Sequence, residues 1–395
     1  MAETMNSNQQ VSSWLAHIRA LAVEIGPRGP TTEAERRGAM YAKEQFLGMG
    51  LTPRWEEFKS AKSIFLPHVI GAALMLSAFL IFPLGGKLTA VLSAVISIGV
   101  IVNELLELSF QPNLIRWIVP KGESQNVSVV IDPEGEHKQD LILVGHLDSQ
   151  RTPIFFRSPR WVKVYDRFTT LLFITYLVQA VLFSLSIFFD WTWAWYASIP
   201  TAICALIFIG FFIEADLSPF TAGANDNASA AGLVLTLAEE FSRQPLKHTR
   251  VFAVCTGCEE TQHYGMIDWY RRHLEELYNP KAIVFEMLGV DGPAYLTQEG
   301  IIVPFKSDKQ LVSMAERLGA ENPDWQVYPV KISGGNTEMA DAIRNKIPAI
   351  CLFGMSRDGT APYWHQVEDT FDKMIPAVME KTWSFVRAFI DSLDV

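Results

Sequence analysis

Imidazoles and carboxylates gather in four short stretches of this chain: Gly145-His146-Leu147-Asp148-Ser149, Asn225-Asp226-Asn227, Cys258-Glu259-Glu260 and Tyr363-Trp364-His365. A further acid, Glu286, follows the apolar run Ala282–Phe285. Two histidines with several carboxylates make a borderline nitrogen and oxygen ligand set that suits zinc, with manganese or cobalt as alternatives. A carboxylate shared by two such ions holds them about 3.5–4 Å apart, so that they clamp an attacking oxygen and a carbonyl oxygen together. One more carboxylate, off the metal, must carry the proton from the attacking water to the leaving amine. The adjacent pair Glu259-Glu260 offers both kinds, because neighbouring side chains on a loop point different ways. Taken singly the pieces are weak, since His-x-Asp triplets recur by chance and Glu-Glu pairs are usually solvated. Their order along one chain is the signal.

Such side chains need rigid elements behind them. Strand-like apolar runs lie at Asn126–Ile131, Leu141–Val144, Val251–Thr256, Ala282–Phe285 and Ala349–Phe353. Helical patterns occur between them, at Ser229–Phe241, Met266–Leu277, Lys309–Leu318, Thr337–Asn345 and Ile375–Leu393. This alternation predicts an α/β domain with a doubly wound, mostly parallel sheet. Catalytic groups then belong at the carboxyl ends of the strands. Thr32 and Glu35 have the spacing of a capping box, opening a helix that Gly48-Met49-Gly50 stops.

From Ile25-Gly-Pro-Arg-Gly-Pro30 to His365-Gln-Val-Glu-Asp-Thr370, leaving out two apolar insertions, the order of motifs resembles the co-catalytic two-zinc aminopeptidases, the family of bacterial leucyl aminopeptidases and glutamate carboxypeptidases. The resemblance implies a zinc-dependent exopeptidase that cleaves peptide substrates with a metal-bridging water. It implies that His146 and Glu286 bind one ion, Glu260 and His365 the other, and that Asp226 bridges them, with a cis peptide after it. Glu259 is then the general base, and Asp148 supports His146 or its loop. Three departures stand out. Glu286 replaces the usual aspartate, Thr261-Gln262-His263-Tyr264 replaces glycines that normally follow the glutamate pair, and Trp364 stands where some relatives place an oxyanion-steadying tyrosine. Tyr363, one step earlier, is the candidate for that contact, and His263 reads as a wall residue. The alternatives are another metallohydrolase on this scaffold, such as a carboxypeptidase or an amidase, or a non-catalytic interaction protein.

Composition adds a second theme. Hydrophobic residues make up 49% of the chain and charged ones only 19%, which calls for either a very large core or a membrane portion. The net charge of −10 argues against a nucleic-acid partner. Four runs have the roughly 20 apolar residues that a bilayer span requires: Ile64–Leu84, Leu88–Leu108, Phe168–Phe189 and Trp195–Ile213. Short turns join them in pairs, which predicts two transmembrane hairpins at 63–110 and 167–214, interrupting a catalytic domain formed by 1–62, 111–166 and 215–395. Trp191, Trp193 and Trp195 suit a membrane–water interface. Lys59, Lys62, Arg116, Lys121, Arg151, Arg157, Arg160, Lys163 and Arg167 flank the spans on the catalytic side, against Lys87 alone in the far turns. By the positive-inside rule the expected protein is a multi-pass one with its catalytic domain in the cytoplasm. Four scattered cysteines, too few for a disulfide framework, agree with that.

Overall fold

A computed structural model describes residues 7–394, which divide into two compact units. One unit takes the chain up to Ser60, Lys121–Gln150 and everything from Phe220 onward, and the other takes Ala61–Pro120 and Arg151–Pro219.

The first unit is built on one mixed sheet. Its strands are β1 (Arg54–Ala61), β2 (Lys121–Ile131), β3 (Gln139–His146), β4 (Thr249–Thr256), β5 (Lys281–Glu286), β6 (Ala294–Glu299), β7 (Phe305–Lys306), β8 (Tyr328–Lys331) and β9 (Ala349–Phe353). They lie in the order β1-β2-β4-β3-β5-β9-β6-β7, with β8 beside β6. The centre, β4-β3-β5-β9, is parallel, whereas β2 and β6 join it antiparallel. All five expected strands are present. The four that the apolar runs did not mark are β1 and β6–β8, and most of these are peripheral or carry polar residues such as Glu56, Gln298 and Lys331.

Central strands with both faces covered read as continuous apolar runs, and alternate side chains go to opposite layers. Leu141 and Leu143 of β3 join one core cluster with Val251, Ala253, Ile283, Phe285 and Leu352. Their neighbours Ile142 and Val144 join the other, with Phe252, Val254, Val284 and Cys351. Each buried side chain of this size contributes about 1.5–3 kcal/mol relative to exposure, so a one-residue slip in a central strand would exchange both layers at once. The helix expected after Thr32 is Glu33–Gly48, with Thr32 Oγ1 accepting from Glu35 N at 3.3 Å. The return contact of the capping box goes one residue further back, to Thr31 N, at 2.8 Å.

The second unit is helical. Four of its helical stretches are long and apolar enough to cross a membrane: Leu66–Leu84, Lys87–Leu108, Pro159–Phe189 and Ala194–Leu217. Their inward faces carry small and aromatic residues, including Ala72, Ala94, Ala205 and a stacked Phe82–Phe183 pair with centroids 4.2 Å apart. Outward faces are apolar too, with Leu88, Val95, Val181, Phe188 and Leu206 exposed. The helical unit extends beyond the hydropathic runs. Ser158 caps the third long helix two turns early through Trp161 N, and the short helix Leu114–Ile118, capped by Asn113, also falls within the unit. The fourth span is broken near Ser198 and Pro200 into Ala194–Ala197 and Ile199–Leu217.

Within the first unit, the chain ends left by removing the second are neighbours. Strands β1 and β2 are adjacent in the sheet, and Thr221 N donates to Gln150 O at 2.9 Å. Joining Ser60 to Lys121 and Gln150 to Phe220 through short Gly/Ser linkers is therefore expected to leave a detergent-independent α/β domain that melts cooperatively. Aggregation with every linker tried would show that the sheet unit does not stand by itself.

Candidate active site

Parallel strands deliver the side chains singled out from the sequence to one place. His146 is the last residue of β3 and Glu286 the last of β5, two strands that lie side by side. Glu259 and Glu260 follow β4, while Asp226 precedes the helix Ser229–Arg243. His365 arrives on the loop beyond β9. Three three-residue sets result, each with ligand atoms within 4.8 Å of one another. One is His146, Glu259 and Glu260; the other two are His146, Asp226 and Glu286, and Asp226, Glu260 and His365. Asp226 belongs to both of the latter. Its Oδ1 lies 3.5 Å from His146 Nε2 and its Oδ2 3.4 Å from His365 Nε2. Glu286 Oε1 is 3.6 Å from His146 Nε2, so the extra methylene relative to aspartate is accommodated. Glu259 Oε2 stands further off, 3.8 Å from the same nitrogen.

Backbone clamps hold these acids in register. Asp148, fully buried, accepts from Glu259 N at 3.1 Å and Glu260 N at 3.0 Å, while its own carbonyl lies 3.1 Å from His146 Nδ1. One residue thus serves both the imidazole and the glutamate loop. Asp369 does the same for the bridging position, accepting from Asn225 N at 2.7 Å and Asp226 N at 2.9 Å. Asn227, across a cis peptide from Asp226, donates to Phe285 O and accepts from Met287 N, tying this loop to the end of β5. Arg28, fully buried, donates to the carbonyls of Leu147, Leu21, Gly26, Ala222 and Gly223. Gln150 Nε2 reaches Glu260 Oε2 at 2.9 Å.

Electrostatics divides the carboxylates into two kinds. Burial, with Glu260 beside it, holds Asp226 well above the ordinary carboxylate range. Burial and Glu259 do the same to Glu260, and burial also raises Glu286 despite His146. Glu259 moves the other way: against its burial, His146 and His263 draw it below the ordinary value. Asp226 Oδ2 and Glu260 Oε1 are buried with no hydrogen-bond partner. Acidic oxygens that are crowded, desolvated and unsatisfied, with imidazole nitrogens among them, are what a divalent cation compensates. The donor set therefore fits zinc, with Glu259 as the carboxylate free to do other work.

Tyr363 is half-buried on the His365 loop, and among the described residues no hydrogen bond joins its hydroxyl to the six site residues. Trp364 instead packs against the His365 ring, with centroids 4.4 Å apart. His263, read as a wall residue, makes a closer approach, its Nε2 lying 3.2 Å from Glu259 Oε1. Sequence reasoning quoted Arg28 and Asp369 within motifs without giving them work, and Gln150 was missed. Only an unusual charge inside apolar or glycine-rich surroundings marked Arg28.

Residues 208–390 match the model of Peptidase family M28. By structure the chain is similar to a zinc aminopeptidase from Bacillus subtilis, at a TM-score of 0.58 and 11% identity over 97% of this chain and 95% of that one. It is also similar to a leucine aminopeptidase precursor from Bacteroides thetaiotaomicron, at 0.57 and 12% over 96% of each chain. A glutaminyl cyclase from Tannerella forsythia follows at 0.55 and 14%, over 96% and 98%. No curated protein sequence matches the chain. The resemblance drawn from the motifs is borne out: the fold is that of the zinc aminopeptidases, and the chain is a metallopeptidase. The same findings support a zinc-dependent exopeptidase.

Because Arg28 satisfies five carbonyls, three of them in the His146 and Asp226 loops, Arg28→Met is expected to lower stability by about 3 kcal/mol or more. Thermal unfolding in detergent reads this directly, and a melting temperature equal to that of the parent would remove Arg28 from the account.

Proposed function

We propose that the protein is an aminopeptidase that releases N-terminal residues from peptides at a membrane surface, using two zinc ions. The observation that carries this reading is the sharing of Asp226 between two ligand sets, with the ionised Glu259 beside them. His146 and Glu286 would hold one ion, Glu260 and His365 the other, and Asp226 both. The ions supply Lewis acidity toward the scissile carbonyl and toward the attacking water. Glu259 takes the proton of that water on Oε2 and delivers it to the departing amine. Asp148 holds the backbone of Glu259 and Glu260, so that base and ligand keep their spacing. Tyr363 is retained as a substrate contact on the rim.

A carboxypeptidase or an amidase on the same scaffold is the alternative, and a glutaminyl cyclase shares the fold. A panel of aminoacyl, N-blocked, C-terminal and glutaminyl peptides separates them. Cleavage of only the blocked or C-terminal members, or cyclisation of only the glutaminyl one, would overturn the aminopeptidase reading. Glu259→Gln is expected to keep both zincs and lose turnover by at least about 10²-fold. Asp226→Ala should lose metal as well, so two tightly held zincs in that variant, measured by elemental analysis, would exclude a bridge.

The four apolar helices are proposed as bilayer spans, with the catalytic unit on the cytoplasmic side. All four native cysteines are buried, so single introduced ones report cleanly. With an impermeant thiol reagent on intact cells, cysteines at the exposed positions Lys87 and Asp190 are expected to label. Those at exposed Glu136 and Asp391 should label only after the membrane is opened, and the opposite pattern would invert the orientation.

A further inference from the structure

His263 sits in the left-handed region, φ 56°, at the start of the helix Tyr264–His273. Its backbone N–H donates to Glu259 O at 2.8 Å, closing a turn that brings its ring back over the glutamate it follows. On one side of the ring, Nδ1 lies 2.6 Å from Asp341 Oδ2. On the other, Nε2 lies 3.2 Å from Glu259 Oε1. His263 and Asp341 are each only 2% exposed. Asp341 comes from a different element, the helix Met339–Arg344, where Arg344 approaches its other oxygen at 3.5 Å.

A carboxylate accepts hydrogen bonds, so a ring held between two of them is placed to donate from both nitrogens. Each contact also fixes a different degree of freedom. Asp341 stops the imidazole from turning, and the imidazole stops the Glu259 carboxylate from turning. The two oxygens of Glu259 are thereby assigned: Oε1 faces His263, while Oε2 faces His146 and the ligand cluster at 3.8 Å.

We infer that His263 and Asp341 form a positioning pair for the general base, locking Glu259 so that Oε2 alone is presented to the attacking water. The inference rests on the proposal that Glu259 is that base. Burial works against a charged His263, but the carboxylates of Asp341 and Glu259 more than offset it and push the ring well above its ordinary value, in keeping with a double donor. The arrangement belongs to this chain's own sequence, at the place where His263 replaces the usual small residues, and it accounts for that departure.

The test compares two amides at one backbone position. In His263→Asn the side chain tolerates the left-handed backbone and can pair with Asp341, but it stops short of Glu259. In His263→Gln the longer amide carries a donor to where Nε2 stood. Turnover of detergent-solubilised, zinc-loaded His263→Asn is expected to fall by roughly 10²-fold, with KM within about threefold and zinc content unchanged. His263→Gln should recover at least about a tenth of the parent rate. Asp341→Asn should lower kcat alone, and adding it to His263→Asn should cost little more, because Asp341 acts through the ring. Parental turnover in His263→Asn, a glutamine variant as slow as the asparagine one, or full additivity of the two changes would each overturn the pair. Should the parent cleave no member of the peptide panel, the reading of Glu259 fails instead. Nitrogen-15 histidine spectra of the zinc-free protein then judge His263: protons on both ring nitrogens, one lost in Asp341→Asn, uphold the pairing, and a single protonated nitrogen in the parent sinks it.

Discussion

Four carboxylates, Asp226, Glu259, Glu260 and Glu286, converge on two imidazoles in a volume that water barely enters. At about 4 Å, two like charges repel by roughly 4 kcal/mol at an effective dielectric of about 20, and burial adds the loss of hydration. Left to themselves these side chains would move apart or protonate. What holds them is mostly backbone. The acids stand on strand ends and short loops whose N–H and C=O groups are tied by other buried side chains: Asp148 under the glutamate pair, Asp369 under Asp226, Arg28 among the loop carbonyls. Several of these clamps are themselves charged, and Arg28 offsets part of the field of Asp369, Asp148 and Asp226. The charge imbalance that remains is a demand for divalent cations, and the fold keeps that demand in place before any cation arrives.

The sheet makes this possible because its centre is parallel. Strands β4, β3, β5 and β9 all point their carboxyl ends the same way, so successive crossovers return the chain to one edge with a new side chain each time. An antiparallel sheet would have alternated its loops between two edges and separated His146 from Glu286 by the length of a strand. Antiparallel partners appear only outside that centre, at β2, β6 and β7, where no ligand is carried.

How much of this was legible depends on range. His146, Glu259, Glu260 and Glu286 could be read because each follows an apolar run whose strand character is local, whereas Asp226 and His365 were read from the order of motifs. The contact of His263 with Asp341 spans 78 positions and has no local signature, since a histidine after two glutamates and an aspartate on a short helix are both ordinary. Asp369 was visible only as part of a motif, because its work is to accept backbone N–H groups 143 and 144 residues away. Side chains that bind metal announce themselves by type. Those that hold backbone do so through groups every residue has, and sequence does not distinguish them. The strands β6–β8 went unread for a related reason, their polar residues at the margin of the sheet breaking the apolar pattern.

The helical unit also neutralises its buried charges in pairs. Among the described residues, its ion pairs are collected at the end where the chain enters and leaves. His68, near the start of the first long helix, meets Glu104 near the end of the second at 2.6 Å, and Glu107 pairs with Arg116 at 2.8 Å, with Asn113 also on its carboxylate. At that end too, Arg151 ties to Ser218 O, closing the base of the second hairpin. The opposite end carries Gly85-Gly86 and the aromatic cap of Phe79, Trp191, Trp193 and Trp195, in which the Trp195 indole donates to Phe79 O at 3.1 Å. Arg116 is therefore not a free positive charge for orienting the hairpins, because Glu107 neutralises it. Part of the asymmetry that remains against Lys87 is carried by Arg160, Lys163 and Arg167, in the first turns of the third long helix. That helix begins with a polar turn capped by Ser158 before its apolar run starts, so those cations ride on an ordered element and stay fixed near the plane where a bilayer surface would meet them.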